Sequence, residues 1–432
     1  MKFLITPLKF ILSGIFLTSL AACGGSSDEP ELSGENPEPK LAASFPEDVE
    51  RGQRFLISIE DSGDFNLDVD ESIYVEESGE RQWEIVAPSG IDAAEFIAID
   101  VFEGDSKVTS LQVAVNAPSP KQLEGPTRPY PFITSWLPSY EGGPSDENGV
   151  PLFEYGTETD YFPIQISKVT QSLYNVIYQE QATQTQQELF IAMSNWLRDN
   201  CVYTKWGFCS WQTQLDVAAY QLPDNWTSAM AQGQGISALI SAYALTGDNS
   251  YLQVAYDALP AFNYPVAEKG VRANYDGVPW HEEYGSEIEP AHVLNGFLFG
   301  IAGVYDAYDL LGSQTAKQVF DVGVDSLSKR IERYDLGFTS WYDDSSLQQV
   351  ASMKGNIGDS YHELHIFQLL WTYVKTESPV ILDYADKFLQ YDTRGIDSFG
   401  RFKAETQKIL NVEASDIFAD RFYPALLIDS NW

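Results

Sequence analysis

Seven stretches between Leu189 and Phe388 repeat their apolar residues at intervals of three and four, and no other feature limits the fold as strongly. Leu189, Met193, Trp196 and Leu197 form the first; Ile236, Leu239, Ile240 and Tyr243 the second; Tyr251, Ala255, Ala258 and Leu259 the third. Sets beginning at Leu294, Phe320, Ile366 and Ile381 follow. A stripe of that period covers one side of an α-helix and must be buried against a neighbour. Periodicity alone therefore predicts a helical domain. Seven helices in succession, joined by loops of varied length, suggest by analogy an α/α toroid with a groove at one end, over residues 185–432. Upstream the period changes. Phe55–Ile59, Trp83–Val86, Phe96–Val101 and Leu111–Val115 are short runs separated by turn clusters such as Asp61-Ser62-Gly63-Asp64. They predict a small antiparallel β-sandwich over residues 43–118. Between the two, residues 119–184 read as an extended or β linker that contributes to the groove, with Tyr161-Phe162-Pro163-Ile164-Gln165-Ile166 its clearest extended stretch.

The first residues give an address. Lys2 and Lys9 flank the start of an apolar run, Phe10–Leu20, too short to span a bilayer stably. It ends in Leu20-Ala21-Ala22-Cys23, and Gly24-Gly25-Ser26-Ser27-Asp28 follows. This resembles the lipobox of bacterial lipoproteins. The resemblance implies a signal peptide over residues 1–22, lipid on Cys23, a flexible tether over residues 23–42 and an exported protein. Gly24 in place of Asp implies the outer membrane of a Gram-negative cell, with the lipid as the only membrane contact. Cys201 and Cys209 then remain as a pair in an oxidising compartment, either bridged, as such a compartment favours, or as two buried thiols.

Charge narrows the partners. The 432 residues carry a formal charge of −37, the wrong sign for nucleic acid, whose phosphates call for clustered Lys and Arg. Residues 24–118 hold 23 acidic and 5 basic side chains, which suits a spacer or platform. Four His and three Cys leave little material for a metal centre. His362-Glu363-Leu364-His365 spaces its two His one residue closer than a zinc protease requires. Nucleophile elbows, phosphate loops and dinucleotide fingerprints are also missing, so neither a metal nor a cofactor is expected. Glu, Tyr and amide side chains remain. Such a set suits proton abstraction beside a carboxylate: a base takes the weakly acidic C5 hydrogen of a uronic acid, donors stabilise the dianion, and an acid on the opposite face returns a proton.

Specific strings carry a family resemblance. They are Ser228-Ala229-Met230-Ala231-Gln232-Gly233-Gln234, Glu282-Glu283-Tyr284, Val293-Leu294-Asn295-Gly296-Phe297, Tyr334-Asp335, Tyr342-Asp343 and Tyr361-His362 with His365-Ile366, preceded by Tyr161–Ile166. In this order, over about residues 150–390, the chain resembles the D-glucuronyl C5-epimerases, which convert glucuronate to iduronate in heparan-type chains. The resemblance implies that Glu283, with Tyr284 beside it, and Tyr342 and Tyr361 are catalytic. It implies that Gln165, Gln232, Asn295 and His362 orient the sugar, that an acidic polysaccharide of heparosan type is the substrate, and that the enzyme is a homodimer. Three departures stand out. Ser345 occupies the position of an Arg in animal members, their large β-domain between the Pro-Ile-Gln-Ile segment and the helices is absent, and residues 119–432 hold 40 acidic against 19 basic side chains. A polyanion then requires that Arg272, Lys354 and other cations gather at the groove, or that salt screens the repulsion. Two other functions compete: a uronate lyase, which loses the C4 oxygen after the same proton abstraction, and a glycan-binding lipoprotein without catalysis.

Overall fold

The computed structural model describes residues 41–90, 95–123, 125–132, 143–155, 158–215, 217, 220–346 and 361–391. The signal segment, the tether with Cys23, and Lys354 lie outside them. Among the described residues no helix is long and apolar enough to cross a membrane.

Eight strands build the N-terminal part. One sheet has the order β1 (Ala43–Ser44), β3 (Arg54–Ile59), β6 (Gln82–Val86), β5 (Tyr74–Gly79). The other has β2 (Asp48–Glu50), β8 (Ser106–Asn116), β7 (Phe96–Glu103), β4 (Phe65–Val69). Every pairing is antiparallel except β2 with β8, where Asp48 lies parallel to Ala114. Alternation does the sorting. Phe55, Ile57 and Ile59 on β3 and Ile97, Ile99 and Val101 on β7 point into one core with Trp83, Ile85 and Val113.

Seven helices stand where the stripes predict them: α2 (Gln184–Asp199), α3 (Ala229–Thr246), α4 (Asn249–Ala258), α5 (Leu294–Asp306), α6 (Gln314–Arg330), α7 (Tyr361–Thr376) and α8 (Pro379–Tyr391). Ahead of them runs an eighth, α1 (Pro163–Tyr178), which corrects the extended stretch expected there. Its β-branched residues disguise it, yet Pro163 sits at its first turn, where a missing N–H costs nothing, and only Tyr161 and Phe162 stay non-helical. The helices pair in sequence, α1 with α2, α3 with α4, α5 with α6 and α7 with α8, and α1, α3, α5 and α7 also pack side by side as one row. Small residues let α3 and α5 touch. A Cβ on Gly303 would lie 1.8 Å from the Gly233 carbonyl oxygen, and one on Gly233 would lie 2.2 Å from that of Gly300. Cys201 and Cys209 are joined by a disulfide in the loop before α3.

A polar seam fixes the sandwich to the helices. Arg54 of β3 is buried, ion-paired with Glu76 and Glu84, and donates from Nη1 to the Asn263 carbonyl at 2.7 Å. Glu50 of β2 accepts from Ser313 Oγ at 2.6 Å and from the Thr315 N–H at 2.8 Å, capping the start of α6.

Candidate active site

The site grows from the end of a hairpin, Arg272–Tyr275 with Val278–His281. The chain beyond it is fixed because its backbone is stapled to neighbours. Glu282 N–H donates to Val271 O at 2.8 Å, Ala229 N–H to Glu282 O at 2.7 Å, and Gly285 N–H to Thr227 O at 3.0 Å. Glu282 accepts from the backbone N–H of His292 at 2.9 Å and meets its Nδ1 at 2.5 Å. Glu283 turns the other way, over the first turn of α5. Gly296 makes the room there, since a Cβ would lie 2.1 Å from Glu283 Oε2.

Glu283 is buried, and its Oε2 has no hydrogen-bond partner among the described residues. Burial pushes its carboxyl up to about 7, and neighbouring Glu282 adds to the rise. The Tyr284 hydroxyl, the charge of Lys168 and the Gly296 N–H at the α5 N-terminus oppose it. Next to this carboxyl stand the phenols of Tyr284, its neighbour in the chain, and Tyr342. Burial holds both phenols well above their ordinary range, so they are neutral donors at any physiological pH. Tyr361, at the start of α7, sets its ring edge-on to Tyr342 at 4.7 Å between centroids and remains 44% exposed. It is therefore the member of the set that reaches solvent.

Two clamps hold the loop that carries Tyr342. Leu294 N–H donates to Tyr342 O at 3.1 Å, tying it to α5. From α7, His362 and His365 both direct Nδ1 at Ser340 Oγ, at 2.9 and 2.8 Å. His362 Nε2 also reaches the Phe388 carbonyl at 3.0 Å.

Glu283, Tyr284, Tyr342 and Tyr361 thus come together, although Glu283 and Tyr361 are 78 residues apart in the chain. Asn295, beside Gly296, is buried with an unpartnered Oδ1. Gln165 is half-buried on α1. Three residues expected to bind substrate make contacts within the protein itself. Gln232 is wholly buried, accepting from the Trp211 N–H at 2.8 Å and donating to Cys209 and Ala258 carbonyls, so it holds α3 to its loop. His362 has both ring nitrogens engaged, as just described. Arg272 is paired with Glu84 at 3.3 Å in the seam, where burial and adjacent Arg54 push its guanidinium down to about 10. Two neighbours of Glu283 carry no sequence signal. Tyr220 stacks on Tyr284 at 4.6 Å and donates to Asp343 at 2.8 Å. Lys168 of α1 is the cation whose charge Glu283 feels most strongly.

Residues 205–390 match the family model described as the D-glucuronyl C5-epimerase C-terminus. Residues 205–390 are thus similar to the C-terminal part of the D-glucuronyl C5-epimerases. The C5-epimerase match takes in Tyr220, Glu283, Tyr284, Tyr342 and Tyr361, whereas Gln165 and Lys168 precede it. Among curated relatives, the D-glucuronyl C5-epimerase of Caenorhabditis elegans is 33% identical over 218 residues, covering 47% of this chain and 34% of that protein. An uncharacterised protein of Methanocaldococcus jannaschii is 30% identical over 185 residues, covering 42% of this chain and 57% of that one. The chain thus spans 34% and 57% of the lengths of these two relatives. Among solved structures, a family 76 glycoside hydrolase from a bovine Bacteroides thetaiotaomicron strain aligns with a TM-score of 0.42 at 13% identity, over 89% of this chain and 87% of that one.

Proposed function

We propose that the protein is a carbohydrate epimerase that inverts C5 of D-glucuronate to give L-iduronate within a heparosan-type polysaccharide. One observation carries this: a buried carboxyl with a free oxygen, poised near neutrality, stands in a cluster of neutral phenols. Glu283 as carboxylate takes the C5 hydrogen from one face, and the electron pair moves into the uronate carboxylate to give the dianion. Tyr284 and Tyr342 crowd Glu283 and keep water from it. Tyr361 gives its proton to the opposite face, and its exposure allows the phenolate to regain a proton from water. Asn295 supplies a polar contact to the sugar. The row α1, α3, α5 and α7 is read as the inner layer of an α/α toroid around the groove, and Cys23 as a lipid anchor that keeps the enzyme at the outer membrane.

Incubation with heparosan in heavy water tests the assignment. Deuterium at C5 together with iduronate, in uncut chains, is the expected result. Ultraviolet absorbance from a new double bond would instead make the protein a lyase. Glu283→Gln and Tyr361→Phe should each lower exchange by at least about 1,000-fold, near the upper range for lost general acid–base catalysis. Circular dichroism and melting should show both variants folded, and full exchange by both would end the assignment of roles.

A further inference from the structure

Tyr284 and Tyr342 come from two separate loops, and a third stretch of chain, just ahead of α3, joins them. It carries Tyr220, which is buried. The Tyr220 ring lies on that of Tyr284, with 4.6 Å between centroids and 24° between planes. Its hydroxyl donates to Asp343 Oδ2 at 2.8 Å, one residue beyond Tyr342. Tyr220, Tyr342, Ala291 and Val293 form a small core of their own, and Tyr284 packs against it. The next residue ties the same stretch down again. Gln221 O accepts from Ser286 Oγ at 2.5 Å, and Gln221 Nε2 donates to Glu289 at 3.2 Å. Trp226, six residues on from Tyr220, also meets the Tyr284 ring, at 5.7 Å. Asp343 is wholly buried and takes the Ser345 hydroxyl at 3.0 Å as well. Burial and that carboxylate hold the Tyr220 phenol well above its ordinary range, so it stays a donor throughout physiological pH. A buried carboxylate that loses a donor is costly to leave in place. The Tyr220–Asp343 bond therefore fixes the chain at Tyr342, while the stacked ring backs Tyr284.

We propose that Tyr220 is a positioning residue for the reaction: its ring and its hydroxyl hold Tyr284 and Tyr342 together and close Glu283 off from water. This rests on the epimerase assignment and deepens it. Tyr220 acts through the two phenols. A carboxyl shut away from water keeps a proton more tightly once it has taken one, which is what a base working on the weakly acidic C5 hydrogen requires. The two arms of Tyr220 are separable, because the ring can stay when the hydroxyl is removed.

The test compares wild type with Tyr220→Phe and Tyr220→Leu, and also combines Tyr220→Leu with Glu283→Gln. C5 exchange into heparosan gives kcat and KM. Urea titrations across pH give the slope of stability with pH, which reports the Glu283 carboxyl whether or not the protein turns over. Glu283 ionises at about 7 in the folded chain against 4.5 unfolded, so it makes stability fall as pH rises between those values. With water admitted, its folded value drops toward 4.5 and the fall shrinks. Glu282, Lys168, Tyr284 and Tyr342, the other charged and titrating groups around Glu283, are the same in every variant. Tyr220→Leu removes both arms and should lower kcat about 100-fold with KM within about 2-fold, the cost of roughly an ångström of misplacement. It should flatten the slope in the wild-type background and leave it unaltered in Glu283→Gln. Tyr220→Phe cuts one arm, so a fall of about 10-fold and a smaller flattening are expected, and it decides the test alone if the Leu variant does not fold. A residue that merely fills space would lower stability equally across the pH range. That result, with exchange by wild type and an unaltered kcat, overturns this inference and leaves the epimerase assignment standing. No exchange by wild type, with a slope that flattens in Tyr220→Leu only while Glu283 is present, sinks the epimerase assignment and keeps Tyr220 as the guard of that carboxyl. No exchange and unaltered slopes overturn both.

Discussion

Two of the buried places where the described residues bring carboxylates and cations together treat them oppositely. In the seam, Arg54 meets Glu76, Glu84 and a backbone carbonyl, while Glu50 meets a hydroxyl and an amide. At the candidate active site Glu283 keeps an oxygen with no partner among the described residues, and so does Asn295. A satisfied buried charge joins two layers and has no further capacity to react. An unsatisfied one costs stability and is ready to take a proton. The difference separates what holds this fold from what works in it, and substitutions on each side should break it in different ways.

The largest effect is expected from Gly296→Ala. Its methyl would occupy the space of the Glu283 carboxyl, so the carboxyl must move and misalign with C5. Exchange should fall about 100-fold or more, the penalty for a reacting group displaced by roughly an ångström, as measured with heparosan in heavy water. Arg54→Met should act on the other side. Removing one partner of a buried pair costs about 3–5 kcal/mol, reduced here to roughly 2–3 because Glu76 and Glu84 are partly exposed. A urea titration measures that loss, and the pH limb assigned to Glu283 should stay where it is. The smallest effect sharpens the comparison. Glu283 ionises near 4.5 in the unfolded chain and at about 7 in the folded one. The native state therefore binds more protons between those values, and the contribution of Glu283 to stability falls as pH rises from about 4.5 to about 7. Glu283→Gln removes this fall, so the variant should gain on wild type by roughly 1–3 kcal/mol above neutral pH and little below pH ~4.5. Equal pH slopes for the two proteins would show that the carboxyl is not desolvated.

How much of this was legible in the sequence depends on whether a signal is local. Stripes of period 3.6 mark seven helices because burial of one face is imposed residue by residue. The same logic fails for α1, whose Ile164, Ile166, Val169 and Thr170 suit a strand, and where Pro163 settles the matter only through its position. Tyr342 and Tyr361 were found by resemblance, and they meet Glu283 because loop and helix are clamped at Leu294 and Ser340. Gln232 and His362 stand in matching strings and are hydrogen-bonded within the protein, and Arg272 is paired in the seam; a string records that a residue is needed without saying for what. Lys168 and Tyr220 belong to no motif. Their place near Glu283 comes from how a helix and a loop pack in three dimensions, which no spacing along the chain encodes.

Glu282 and Glu283 are chemically identical neighbours with opposite fates, one locked to His292 and the other left open. Place in the chain tells them apart: Glu282 is still bonded to Val271 at the hairpin end, and Glu283 follows it over Gly296. Deleting or inserting one residue between Val271 and Glu282 would exchange the two, offering His292 the wrong carboxyl and turning the reactive one into a strut. Length in this short stretch is therefore as much a determinant of chemistry as residue type, and a library that varies hairpin length should be far less tolerant here than one that varies its surface composition.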